Sequence, residues 1–181
     1  MTTKQLYAGP GVGFEAPFEM LAACHGRVRR TLDTLLRLQA HARAHGADEQ
    51  ARQAAADVAR YFDVAAPAHH QDEELHIVPR LRAAGRGDLA DQLLSDHATL
   101  SAEWQALRVQ LQALAAGQAF RLERDACLRF ARLYEAHAAL EDEVIFPLAS
   151  LGLTPTEILS MGEEMSTRRG ASRAPAELVP R

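Results

Sequence analysis

Apolar residues recur every three or four positions over four long stretches of the chain, the spacing that gathers them on one face of an α-helix. In the first, Phe18, Leu21, Cys24 with His25, Val28, Leu32 and Leu35 share a face, and Pro17 suits a first turn. A helix is predicted from about Pro17 to about Ala44, stopping before Gly46. Asp48 can cap the second, in which Val58, Tyr61 with Phe62, Ala65, His69, Glu73 and Ile77 face inward as far as about Pro79. Pro67 lies inside that run and predicts a kink or a break just before the histidines. Gly85 and Gly87 mark a turn, and Asp88 begins a third run through Leu93, His97, Leu100, Trp104, Leu107, Leu111 and Leu114, closed by Gly117. The fourth is predicted from about Arg121 to about Ser150, with Cys127, Phe130, Leu133 with Tyr134, His137, Glu141, Val144 with Ile145 and Leu148 inside. Thr154-Pro155-Thr156-Glu157 reads as a capping box opening a last short helix to about Met165.

Four amphipathic helices joined by short turns predict an all-α fold, an antiparallel up-down-up-down four-helix bundle, because each apolar face needs another to cover it. Residues 14–151 would form the bundle, and 152–181 a short C-terminal helix and a polar tail. Composition agrees: Ala, Leu, Arg, Gln and Glu dominate over β-branched residues. The last residues, Leu178-Val179-Pro180-Arg181, carry no weight in this reading. The chain also repeats itself. His69 to Pro79 overlays on His137 to Pro147 with matching His, Glu, Ile and Pro positions, and His25 then pairs with His97, so a helical hairpin is used twice.

The repeat carries the chemistry. Positions i and i+4 stack on a helix, so His69 with Glu73, and His137 with Glu141, each present two polar groups where the period calls for apolar core. Buried and unpaired, such groups cost several kcal/mol, whereas a cation neutralises them. Counted from the predicted helix ends at ~1.5 Å per residue, His25, His69, His97 and His137 all fall ~12 to 15 Å from one end of the bundle. Four imidazoles and two carboxylates at one level suit two octahedral-leaning irons bridged by the carboxylates better than a four-coordinate zinc.

His, His-x-x-x-Glu, His and His-x-x-x-Glu on four successive helices resembles the hemerythrin-like HHE cation-binding family, over about Phe14 to Leu151. That resemblance implies a di-iron centre of two non-haem irons, with His25, His69, His97 and His137 as terminal ligands and Glu73 and Glu141 as bridges. Oxygen-carrying members have a fifth histidine where this chain has Ser101. His70 can supply that imidazole instead. On a regular helix it points about 100° away from His69, so the distortion expected at Pro67 would have to bring it in.

Other polar residues have plainer readings. Glu74, Asp142 and Glu143 are expected on solvated faces, His41, His45 and His76 at the surface, and Trp104 and Phe130 in packing. Tyr61 and Tyr134 are expected as core residues with satisfied hydroxyls in preference to donors to the metal layer. The net charge of -4, with cations scattered among acids, offers no stripe for nucleic acid. The N-terminus shows no export signal, no run is long enough for a membrane, and Cys24 and Cys127 read as buried free thiols, so a cytoplasmic location is expected. The function that follows is binding or sensing of a small diatomic ligand, O2 or NO, or iron handling under oxidative or nitrosative stress. The alternatives are a di-iron enzyme that reduces NO or decomposes peroxide, and a structural bundle with a vestigial site. No redox partner is legible.

Overall fold

The computed structural model describes residues 13–118 and 121–171. The N-terminal stretch scanned for an export signal lies largely outside them, as does the polar tail beyond residue 171. Among the described residues every regular element is helical: α1 (Pro17–His45), α2 (Glu49–Ala83), α3 (Gly87–Ala115), α4 (Arg124–Leu140), a π-helical turn (Glu141–Ile145), a short α5 (Phe146–Ala149) and α6 (Pro155–Arg168). α1 packs against α2, α2 against α3, α3 against α4, and α4 against α1. Among the described residues no helix is long and apolar enough to cross a membrane.

The caps act where the sequence places them. Asp48 Oδ1 accepts from the Ala51 amide at 2.8 Å, and the full capping box at Thr154 and Glu157 opens α6. Gly46, Gly85 and Gly117 end their helices with φ near +70°, a region that only glycine enters without strain. α2 stays helical on both sides of Pro67, which has no amide hydrogen of its own to donate, so the chain does not break there. The Pro67 ring lies on an exposed face, while buried Phe62 and Ala66 before it and His69 and Glu73 after it hold α2 against its neighbours. α2 also outruns Pro79 to Ala83, because Leu81 still faces the core.

The π turn was not foreseen. A proline at position 147 lacks an amide hydrogen and would press on the carbonyl of Glu143 in a regular α-helix. The chain widens instead, and the Phe146 amide bonds the Glu141 carbonyl five residues back. One extra residue in the turn rotates the inner face by a position. Val144, expected inside, is 39% exposed, and Phe146 and Ala149 are buried in its place.

Two apolar clusters fill the interior. One joins Val28, Leu32 and Leu35 to Phe62, Trp104, Leu107 and Phe130; the other joins Leu21 and Cys24 to Ile77, Leu81, Leu93, Ile145 and Met165. On all four long helices the chain passes from one cluster to the other through a polar interval that holds the buried His25, His69, Asp72, Glu73, His97, His137 and Glu141. Cys24 and Cys127 are free and buried, one in each cluster.

Candidate metal centre

That interval brings the predicted polar residues together. α1 supplies His25, α2 supplies His69, His70 and Glu73, α3 supplies His97, α4 supplies His137, and the π turn supplies Glu141. Both glutamates have no exposed surface, and the histidines at 25, 69, 97 and 137 are at most 5% exposed. His25 Nε2 lies 3.0 Å from Glu141 Oε2, and His137 Nε2 lies 3.0 Å from Glu141 Oε1. His69 Nε2 is 3.1 Å from Glu73 Oε1, and His97 Nε2 is 3.3 Å from Glu73 Oε2. The donors sort into two fourfold groups, His25, His69, Glu73 and Glu141 on one side and Glu73, His97, His137 and Glu141 on the other, so that both carboxylates are shared.

His70 joins the second side. Its ring lies parallel to that of His97, with centroids 4.0 Å apart, and its nitrogen falls within ligand range of those of His97 and His137. No break at Pro67 is needed. A helix turns about 100° per residue, so His69 meets His25 of α1 while His70 meets His97 of α3, and one helix serves both sides. Tyr134 is a buried core residue with a satisfied hydroxyl, as expected, but the partner is His70 Nε2 at 3.2 Å, which ties it to the metal layer.

The carboxylates flanking the ligands are also engaged: Glu74 is exposed, as expected, and Asp142 half-buried, yet each bonds a ligand ring. Asp142 Oδ1 accepts from His25 Nδ1 at 2.8 Å and is braced by Arg29. Glu74 Oε1 accepts from His97 Nδ1 at 2.9 Å. Each bond fixes the ring and leaves its Nε2 facing the shared carboxylates, the arrangement that orients a histidine toward a metal. Glu143 is exposed as expected. His41 bonds Asp48 and His45 bonds the His41 carbonyl, both far from the layer in sequence and partner. His76 instead ties to Glu164 of α6 at 2.6 Å.

Cation binding fits this donor set on its own geometry. Both oxygens of Glu73 and of Glu141, His69 Nδ1, His97 Nε2 and both ring nitrogens of His137 are buried with no hydrogen-bond partner. The ring nitrogens that approach these carboxylates at 3.0 to 3.3 Å do not align with them as hydrogen bonds, and His25 Nε2 and His69 Nε2 pair instead with each other at 3.1 Å. Buried polar groups are satisfied as a rule, and so many unsatisfied atoms at one level call for a positive charge among them.

Proton affinities show what a cation must displace. Burial pushes His69 down to about 3, with the charges of His25, Arg169 and His137 adding to the effect against Glu141, and burial with His97, His69 and His137 pushes His70 to about 2. Both are therefore neutral and ready as ligands at pH 7. Burial opposes charge on His97 too, but Glu141, Glu73 and Glu74 outweigh it and raise this ring to about 10. Burial and the neighbouring Glu141 hold the Glu73 carboxyl well above the usual range, while His137, His25 and His97 overcome burial to keep Glu141 ionised. At neutral pH a metal must expel the proton of His97, and the raised Glu73 carboxyl resists ionisation in the same sense. Loading is expected to release protons, and apparent affinity to climb with pH up to about 10. Binding enthalpies measured calorimetrically at pH 7 should then vary with the ionisation enthalpy of the buffer, and identical values in all buffers would contradict this.

A cavity of about 420 Å³ opens between α2 and α3 onto this layer, lined among others by His70, Glu74, His97, Ser101, Trp104 and Tyr134. The residues sequence reasoning missed outright are Asp72, which is fully buried, and Arg168 and Arg169, which bind it from α6. Position 72 lies three residues after His69 on the same face, but its partners lie about a hundred residues away, beyond reach of any periodicity.

The model for the hemerythrin HHE cation-binding domain matches residues 16–149. A protein of Haemophilus influenzae, described as an uncharacterized protein, is 36% identical over 155 residues, covering 84% of this chain and 90% of its own length.

Proposed function

Because the chain belongs to the hemerythrin HHE cation-binding family, we propose that it holds two non-haem irons as a di-iron centre and uses them to bind or sense O2 or NO, in the cytoplasm, under oxidative or nitrosative stress. The observation that carries this reading is the pair of fourfold donor groups sharing Glu73 and Glu141. In it His25 and His69 would hold one iron and His97, His137 and His70 the other, with Glu73 and Glu141 available to both. An up-down-up-down bundle is part of the same reading. Its support is that α1 and α3 run from the Leu21 and Leu93 cluster into the Phe62 and Phe130 cluster, while α2 and α4 run the opposite way.

When bound, a ferrous pair supplies an open position and electrons to a diatomic ligand. The chain supplies the rest. Glu74 and Asp142 hold the His97 and His25 rings in place. Phe62, Trp104 and Leu100 make the inner wall of the α2 to α3 cavity apolar, which favours a small uncharged ligand over water. Ser101 and the Tyr134 hydroxyl stand in the same wall as polar groups near His70. Imidazole-rich ligation with only two carboxylates suits reversible binding. The cavity volume, well above what a diatomic needs, favours as a second reading an enzyme that reduces NO or decomposes peroxide.

Anaerobic titration of the ferrous protein with NO, followed optically, tests the first reading. A saturable spectral change without turnover is expected. Ser101→Trp should fill the cavity and slow association by at least about tenfold, roughly 1.4 kcal/mol of barrier, with metal content unchanged. Iron-loaded protein whose spectrum ignores both NO and O2 would sink the binding function, and sustained consumption of NO or peroxide under reducing conditions would favour the enzyme.

A further inference from the structure

α6 lies beyond the matched domain, yet it reaches into the metal layer. Arg168 Nη2 donates to Asp72 Oδ1 and Arg169 Nη2 donates to Asp72 Oδ2, and Asp72 has no exposed surface. Asp72 immediately precedes Glu73 and follows His69 by three residues, so the two guanidiniums close on the segment of α2 that carries both. Arg168 also donates to Gln71 at 3.4 Å and to Glu164 at 2.9 Å, and Glu164 bonds His76. Gln71, Asp72 and His76 thus tie one face of α2 to α6.

The apolar side of α6 is fitted just as closely. Met161 and Met165 are buried in the cluster that holds Met20, Leu21 and Cys24, the residues leading to His25. A Cβ at Gly162 would stand 1.8 Å from the Phe14 carbonyl oxygen, so this position admits only glycine while α6 is seated. The Arg169 guanidinium lies 6.0 Å from the centroid of the Phe14 ring, and its charge is felt by both His69 and Cys24. α6 therefore lies over the half of the layer that contains His25 and His69. The α2 to α3 cavity opens on the other half, at His70 and His97.

We propose that α6 is the cover of the His25 and His69 half of the centre, and that Asp72, Arg168 and Arg169 are positioning residues that retain the metal ion there while small ligands exchange at the His70 and His97 half. Asp72 gives the cover its hold: if the two arginines withdraw while Asp72 stays buried, its carboxylate is left as an uncompensated charge, so α6 cannot lift without also opening this segment of α2 to water. This inference rests on the two-metal reading above.

The test is removal of iron by a ferrous chelator from the loaded full-length chain, together with hydrogen exchange of α6. Native protein is expected to hold two ions and lose them in a fast and a slow phase. In Arg168→Gln/Arg169→Gln the slow phase should quicken at least tenfold and the fast phase change less than twofold, with α6 amides exchanging faster. Asp72→Asn/Arg168→Gln/Arg169→Gln, which removes the stranded carboxylate as well, should behave alike and guards against misfolding of the double variant. Arg168→Lys/Arg169→Lys should restore much of the slow phase. Native release rates in variants whose α6 exchanges freely would overturn the proposal, as would equal acceleration of both phases or an α6 that stays protected without its arginines. Fewer than two ions in the native protein would overturn the two-metal reading itself, and this inference with it.

Discussion

Glu141→Gln is expected to cut metal content from two ions per chain to one or none, with helical content retained. Exchanging one carboxylate oxygen for an amide nitrogen here touches both sides of the centre. Glu141 belongs to both fourfold groups, and its two oxygens stand 3.0 Å from His25 Nε2 on one side and His137 Nε2 on the other. The amide keeps the volume and one acceptor, so packing around the π turn survives. It loses the negative charge and turns a hydrogen-bond donor toward ring nitrogens that must face a cation. A loss of more than about a hundredfold in affinity, roughly 2.7 kcal/mol, is expected for at least one ion. Elemental analysis beside circular dichroism measures it. His41→Ala, whose partner is Asp48, is the control and should keep both ions. Two ions held by Glu141→Gln at native affinity would remove Glu141 from the centre.

Chelation is expected to lower the melting temperature by roughly 8 to 16 °C. The metal-free layer leaves both oxygens of Glu73 and Glu141 buried and unsatisfied, and packs the Glu141 charge against imidazoles that cannot all be cationic. A ligand that binds the folded chain at about a thousand times its Kd adds about 4 kcal/mol. For a chain of this size each kcal/mol moves the midpoint by about 2 to 4 °C. Scanning calorimetry of loaded and chelated protein checks the figure. Midpoints within about 2 °C of each other would mean that the buried layer is balanced by its own protons and needs no metal.

The four long helices and most of the centre were legible because both are written in local spacing. His69 with Glu73 and His137 with Glu141 are separated by one helical turn, and the same period that marks the core shows that these pairs interrupt it. His70 was legible by adjacency, but its reason was misread: the ordinary rotation of a continuous helix, with no break at Pro67, carries it to the second side. What the sequence hid depends on partners across the fold. Glu74 and Asp142 look like members of a solvated face until α3 and α1 bring the His97 and His25 rings against them. Asp72 looks like one more acid in an acidic run until α6 folds back over it. The π turn falls between these cases. Its cause, Pro147, is visible in the sequence, but Pro79 in the matching position of α2 stands within α-helical structure, so the proline alone does not predict the widened turn.

One measurement bears on the centre most directly: iron per chain, with optical spectra of the oxidised and reduced forms, for protein purified without chelator. Two irons per chain and a visible charge-transfer band that bleaches on reduction are the predicted result. Less than one metal ion per chain, persisting after anaerobic reconstitution with ferrous iron, would contradict the assignment and leave a helical bundle with an unexplained polar interior.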